Sequence, residues 1–166
     1  FAQRLAQERG GEAVAYVATA EAKDEEMAAR IALHRQSRPA AWQTVEAPQA
    51  VGAAILDQAQ AARVVLLDCL TMLVSNLLLE AEDPFDEAVE ARVMAEVEAL
   101  VDCAETLAGD FIIVSNEVGM GLVPPYPLGR AYRDVVGRAN QHLARAADAV
   151  YFLVAGLPMT LKGDPL

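Results

Sequence analysis

The sequence predicts an α/β fold built on a mostly parallel sheet, and three observations predict it. Four short apolar runs, "AVAYVAT" (13–19), "RVVLLD" (63–68), "DFIIVSN" (110–116) and "AVYFLVAG" (149–156), are near-continuous in aliphatic and β-branched residues, as strands buried on both faces of a parallel sheet are. Segments with helical spacing separate these runs, and strand–helix alternation implies right-handed crossovers between parallel strands. Polar residues collect at the carboxyl ends of the runs, at Thr19, Asp68 and "SNEVGMG" (115–121), where open α/β sheets bind their ligands.

Taken in order, the opening "FAQRLAQERG" has a helical pattern and the run 13–19 is the first strand. A helix follows from about Asp24 to His34, with Asp24 as the N-cap whose carboxylate accepts from the unpaired amides of the first turn. Pro39 cannot continue that helix and puts residues 35–38 in a loop. After the run 63–68, "LTMLVSNLLLEA" (70–81) reads as a further helix. The longest helix follows Asp86, where Val89, Val93, Val97, Leu100 and Leu107 keep helical spacing until Gly109 stops it. The connection "NEVGMGLVPPYPLGRAYRD" (116–134) is dense in Gly and Pro, the composition of a lid, a substrate wall or a subunit contact. A helix over about 128–146 leads to the last run. No repeat, low-complexity linker or composition shift divides the chain, so residues 1–166 are expected to form one domain.

Thirteen Lys and Arg against 24 Asp and Glu give a formal charge of −11, which argues against a nucleic-acid-binding surface. An anionic substrate would be repelled by the average surface and would need a local positive pocket. Cys69 and Cys103 are too few and too far apart for a disulfide framework or a zinc site, and read as small buried thiols in a reducing compartment. No stretch approaches the roughly 20 apolar residues of a membrane span, and the opening residues lack a signal-peptide core. A cytoplasmic location is expected.

The chain has two histidines. His34 lies among Arg30, Arg35 and Arg38. A neutral imidazole is a good nucleophile toward phosphorus, nearby guanidiniums suit phosphate oxygens, and a loop forced by Pro39 frees backbone amides to cradle phosphate. The alternative is a surface histidine whose cation suits the helix end. Asp68 closes "VVLLD", a Walker-B-like placement in which a strand-tip carboxylate holds Mg²⁺ or its water shell. Glu46 could accept hydrogen bonds from a guanine edge, or simply be exposed. Thr19 and Glu117 are further polar groups at strand ends. Arg130 and Arg133 either meet phosphate or are solvated helix arginines, and His142, mid-helix, reads as structural.

"DEEMAARIALHRQSRPAAW" (24–42) with Glu46 downstream, "LLDCLTMLVSNLL" (66–78), "VSNEVGMGLVP" (114–124) and "RDVVGRANQHLARAADAVYFLVAG" (133–156) together resemble the bifunctional adenosylcobinamide kinase / adenosylcobinamide-phosphate guanylyltransferase family. The resemblance runs over essentially the whole chain, and its H-x-x-x-R-P-x-x-W and N-E-V-G-M-G-x-V-P elements are specific in combination. It implies a RecA-like, P-loop NTPase-type α/β domain and a place in adenosylcobalamin (vitamin B12) biosynthesis. It further implies that His34 becomes guanylylated by GTP and passes GMP to adenosylcobinamide phosphate, and that a second activity phosphorylates adenosylcobinamide with GTP or ATP. Arg35, Gln36, Ser37 and Arg38 match the nucleotide-binding segment after the histidine, and Ala18, Thr19 and Ala20 match a second one at a strand end. Glu46 and Asp68 match acidic nucleotide-contacting positions. The family more often has Glu where Asp68 stands, which shortens that reach by one methylene. Mg²⁺ at Asp68 and a homotrimer are also implied.

The family opens with a strand and a G-G-x-R-S-G-K-S phosphate loop ahead of a helix like "FAQRLA", whereas this sequence holds no G-x-x-x-x-G-K-[ST]. The expectation is that the native N-terminal strand and loop lie ahead of Phe1. A chain truly beginning at Phe1 should show little kinase activity and weak GTP binding, because that loop's amides and lysine hold the β- and γ-phosphates. On that condition the rival reading is a non-catalytic α/β nucleotide-binding module. A second rival is a plain P-loop kinase in which His34 only contacts phosphate.

Overall fold

Helix and strand alternate along the chain as α1 (Ala2–Gly10), β1 (Val14–Ala18), α2 (Glu25–Gln36), β2 (Gln43–Glu46), α3 (Val51–Gln58), β3 (Val64–Asp68), α4 (Leu70–Leu79), α5 (Glu87–Thr106), β4 (Asp110–Val114), α6 (Pro127–Ala146), β5 (Val150–Val154) and β6 (Leu157–Lys162). The structure is a computed structural model and describes residues 1–164, so the last two residues of the expected 1–166 domain lie outside it. β2, β1, β3 and β4 pair in that order, all parallel.

β1 and β3 are aliphatic on both faces because both faces are covered. On one side Ala15, Val17, Val45, Val65 and Leu67 join side chains of α3, α4, α5 and α6 in the larger core. On the other, Val14, Tyr16, Val64 and Leu66 pack with Ala6 of α1 and with Trp42. Trp42 also satisfies its indole N–H, which donates to the Gly11 carbonyl at 3.0 Å. Each fully buried Leu or Val stabilises the fold by roughly 1.5–3 kcal/mol relative to exposure.

Several local expectations hold. Asp24 caps α2 by accepting from the Met27 amide at 2.7 Å, and Asp86 caps α5 by accepting from the Ala88 amide at 2.8 Å. Val89, Val93, Val97 and Leu100 lie with Cys103 in the buried stripe of α5, but the helix ends at Thr106, with Leu107 as an extended C-cap ahead of Gly109 rather than a last helical residue. α6 starts at Pro127, whose missing N–H costs nothing at a first helical position. Both cysteines are free, Cys103 buried and Cys69 half-buried; burial pushes the Cys103 thiol above its ordinary pKa.

Other expectations are corrected. The run 149–156 does not join the parallel sheet. β5 pairs antiparallel with β6 in a separate two-stranded hairpin. Its loop is Ala155–Gly156, both at positive φ (52° and 78°), the twist that favours a two-residue hairpin. A partner two residues away costs little loop-closure entropy, which favours this local pairing. Lys162 fastens the hairpin to the end of α6, its ammonium donating to the carbonyls of Ala144 (3.1 Å) and Arg145 (2.8 Å). β2 and α3 were not foreseen as elements, being short and lacking a long periodic run. α2 runs further than expected: Arg35 and Gln36 are its last residues rather than part of the loop, and Ser37 is its C-cap ahead of Pro39.

α3 packs closely on α5 because residue 52 is glycine. A Cβ there would lie 2.7 Å from the Ala99 carbonyl oxygen, a backbone atom that cannot rotate aside. Gly52→Val is therefore expected to lower stability by about 1–3 kcal/mol, read as a reduced thermal midpoint. An unchanged midpoint would mean the two helices do not approach this closely.

Candidate active site

The register of the sheet sets the site. Ala18 pairs with Glu46 on one side and Asp68 on the other, and Asp68 pairs with Val114. Glu46, Ala18, Asp68 and Val114 therefore form one row across the carboxyl ends of four parallel strands, on the face that also carries Tyr16 and Leu66. Two acidic positions expected from separate parts of the sequence are thus brought into one row, with Ala18 between them.

Just beyond the row, Thr19 is fully buried. Its hydroxyl donates to the Cys69 carbonyl and accepts from the Cys69 amide, both at 2.8 Å. Its own amide donates to the Asp68 carbonyl at 3.2 Å, and its carbonyl accepts from the Asn76 side chain at 2.8 Å. The same Asn76 amide group donates to Pro48 at 3.0 Å. The ends of β1 and β3, the start of α4 and the loop after β2 are therefore tied at one point. Ala20, the next position, is half-buried.

His34 lies in the last turn of α2. None of the residues of this helix is buried, because its apolar side chains are distributed around the helix rather than gathered in a stripe. His34, Arg35, Gln36 and Ser37 are exposed. The turn after the histidine folds back on itself: the Ser37 hydroxyl donates to the His34 carbonyl at 2.8 Å, and Arg38 Nε donates to the same oxygen at 3.0 Å. Arg35 reaches Glu46 at 3.7 Å, an exposed ion pair that contributes little to stability but joins the His34 turn to the end of β2.

Arg38 makes the deeper connection. Its guanidinium lies 3.5 Å from the centre of the Tyr16 ring, a cation–π contact, while the Tyr16 hydroxyl donates to Asp68 Oδ2. Burial, together with the hydrogen bond and negative charge of Asp68, pushes the Tyr16 hydroxyl well above its ordinary pKa. Burial draws Arg38 below its ordinary value, opposed by Tyr16 and Asp68, and an arginine remains charged at neutral pH. Its Nη1 is buried with no hydrogen-bond partner among the described residues. A buried guanidinium N–H with no acceptor suits an anionic or carbonyl oxygen from a ligand.

Arg130 and Arg133 turn to the loop ahead of α6. Arg130 donates to the carbonyls of Pro124 (3.2 Å) and Pro125 (2.9 Å), and Arg133 donates to those of Gly119 and of Gly121, the latter at 3.2 Å. They pin the 116–126 loop to α6. Glu117 is turned into the same loop, accepting from the Gly119 amide at 2.6 Å. His142 has the structural role expected of it, pairing with Glu98 across α5 and α6 at 2.7 Å.

Sequence reasoning missed Tyr16 and Asn76. Tyr16 is an aromatic in an aliphatic strand, two residues before its polar end and so on the same face as Ala18. Asn76 is a lone amide inside "LTMLVSNLLL". Both were visible as exceptions to an apolar pattern.

Residues 1–161 match the family described as cobinamide kinase / cobinamide phosphate guanyltransferase. The chain belongs to this family. It is 49% identical over 166 residues to the bifunctional adenosylcobalamin biosynthesis protein CobP of Pseudomonas aeruginosa, covering all of this chain and 91% of that protein. Over 155 residues it is 41% identical to the bifunctional adenosylcobalamin biosynthesis protein CobU of Escherichia coli and 38% to that of Salmonella typhimurium, covering 90% of this chain and 86% of each relative. The four-stranded parallel sheet flanked by helices is consistent with a RecA-like, P-loop NTPase-type fold. The family is one of enzymes, transferases acting on cobinamide and cobinamide phosphate, so the chain is not a bare scaffold. No helix among the described residues is long and apolar enough to cross a membrane.

Replacing Asn76 with Leu would keep its heavy-atom count and branching and leave the Thr19 and Pro48 carbonyls without this donor. The expected cost is about 1–3 kcal/mol, seen as a lower midpoint in denaturant. Wild-type stability would show that Asn76 does not hold the strand ends together.

Proposed function

We propose that the chain transfers GMP from GTP to adenosylcobinamide phosphate through a guanylyl-histidine at His34. In the companion reaction it phosphorylates adenosylcobinamide from GTP or ATP. Family membership supports the two reactions. The geometric observation that carries the placement of the transferase site is Arg38. It leaves the His34 turn, yet lies on Tyr16 beside Asp68 with a buried N–H lacking an acceptor.

A ring nitrogen of neutral His34 attacks the α-phosphorus of GTP, forming a P–N bond as the bond to pyrophosphate breaks. An oxygen of adenosylcobinamide phosphate then attacks that phosphorus. The P–N bond breaks, adenosylcobinamide-GDP leaves, and His34 is free again. Both steps place negative charge on phosphate oxygens, which Arg38 and Arg35 are positioned to stabilise. Gln36, Ser37 and the 18–20 segment complete the nucleotide contacts. Within that segment the Thr19 side chain is consumed internally, so Ala18 and Ala20 present the surface there. Glu46 stands in the strand-end row as an acceptor for a guanine edge.

Among the described residues no three His, Cys, Asp or Glu side chains cluster as a metal cage. Mg²⁺ usually takes one or two carboxylates and completes its shell with water and substrate phosphates, so Asp68 at the strand tip fits it and is the residue that would hold it. When bound, the ion supplies charge neutralisation at the nucleotide phosphates. The same proposal includes a single nucleotide-binding domain, a cytoplasmic location and a homotrimer, the last checked by a sedimentation mass of about three chains.

The test is incubation of the protein carrying its full gene-encoded sequence with Mg²⁺ and α-labelled GTP. An acid-labile, base-stable adduct is expected, lost in His34→Asn and discharged by adenosylcobinamide phosphate. An adduct that survives His34→Asn would move the nucleophile, with His142 the other histidine of the sequence. Arg38→Lys is expected to slow adduct formation by 10-fold or more, on the order of one lost charge-assisted contact. Turnover near that of the wild type would remove Arg38 from the phosphate site.

A further inference from the structure

Tyr16 stands apart from the other residues at the strand ends because it joins two groups that the transferase reading uses separately. Its ring is 3% exposed, set in the smaller core between Val14, Leu66 and Trp42. A tyrosine in that place needs a partner for its hydroxyl, and the partner is the Asp68 carboxylate. One ring face is covered by the Arg38 guanidinium at 3.5 Å. Among the described residues the Arg38 side chain has one other anchor, the His34 carbonyl, on a helix that buries none of its residues. The long arginine side chain and the unburied helix would otherwise leave the cation free to sample many positions.

We propose that Tyr16 is a positioning residue for guanylyl transfer. Its ring is the platform that fixes Arg38, and its hydroxyl fixes the Asp68 carboxylate, so one side chain sets the cationic turn after His34 against the acidic end of β3. The proposal rests on the His34 transferase reading above and adds how its charged groups are held in register. Tyr16 acts through Arg38 and Asp68 and touches neither the reacting phosphorus nor the imidazole. The ring supplies a flat, rigid surface that an aliphatic side chain of similar volume would not. The hydroxyl acts independently of the ring, so the two contacts can be removed one at a time.

The experiment measures the rate of His34 labelling by α-labelled GTP, with Mg²⁺ saturating, in the full gene-encoded protein. Tyr16→Phe keeps the platform and deletes the hydroxyl, while Tyr16→Leu deletes both. Tyr16→Leu is expected to slow labelling by roughly 2- to 30-fold beyond Tyr16→Phe, the span of a cation–π contact from exposed to desolvated. The loss should nearly vanish in an Arg38→Ala background, and the smaller loss in Tyr16→Phe should vanish in an Asp68→Ala background, which leaves the hydroxyl no acceptor at that position. A residue that only fills the core would instead lower thermal stability and add its effect unchanged in both backgrounds. Additive losses, or labelling by Tyr16→Leu at the wild-type rate, overturn the proposal and leave the His34 reading standing. No label on the wild-type protein overturns both. If Tyr16→Leu does not fold, Tyr16→Phe with the Asp68→Ala background decides alone, and additivity there is sufficient to reject the role.

Discussion

The hydrogen bonds around Thr19 are the constraint on which the rest of this structure depends. A single buried hydroxyl satisfies both backbone groups of Cys69, and its backbone reaches Asp68 and Asn76. Parallel strands have no tight turn joining their ends, so the relative position of β1 and β3 at their carboxyl edge must come from such cross-links. With that edge fixed, Asp68, Ala18 and Glu46 stand in one row, and the chain can leave β1 toward α2 from a rigid base. Buried polar groups of this kind stabilise only when every partner is present. Here one threonine and one asparagine meet most of that demand.

On the rigid base stands a helix attached mainly at its ends. α2 has no buried residue, and its turn returns to the body through Arg38 on Tyr16 and Arg35 near Glu46. The asymmetry has a physical consequence. The acidic strand ends are held by packing and buried hydrogen bonds, whereas the His34 turn is held by a few contacts of cations with an aromatic face and a carboxylate. In a chain of formal charge −11, those arginines create a local patch of positive potential. The acidic average surface and the basic turn are compatible because the latter is confined to one stretch.

The 116–126 loop follows a different logic. Its Gly and Pro residues reduce regular hydrogen bonding, and Arg130 and Arg133 from α6 replace it by donating to loop carbonyls. Those arginines shape the loop, and the loop they hold presents Met120, Leu122, Val123 and Tyr126 to solvent. From the sequence alone an arginine beside a Gly-rich loop reads equally as a phosphate ligand or a solvated side chain. Here both arginines donate to loop carbonyls, because a carbonyl within reach of a guanidinium is a good acceptor.

Much of this protein was determined by local chemistry legible in the sequence. Three of the four aliphatic runs became parallel strands because their composition suits burial on both faces, and Asp24 capped its helix because a carboxylate there meets unpaired amides. The order of residues from His34 to Trp42, with the downstream motifs, was enough to mark the family. Tertiary structure alone decided the remainder. Whether the run 149–156 joined the sheet depended on competition with the hairpin partner two residues beyond it, which periodicity does not resolve. That Tyr16 lies under Arg38 and against Asp68 depended on the register between β1 and β3 and on the path of the turn after α2. Those are distances between residues far apart in the chain, and no local pattern in the sequence encodes them.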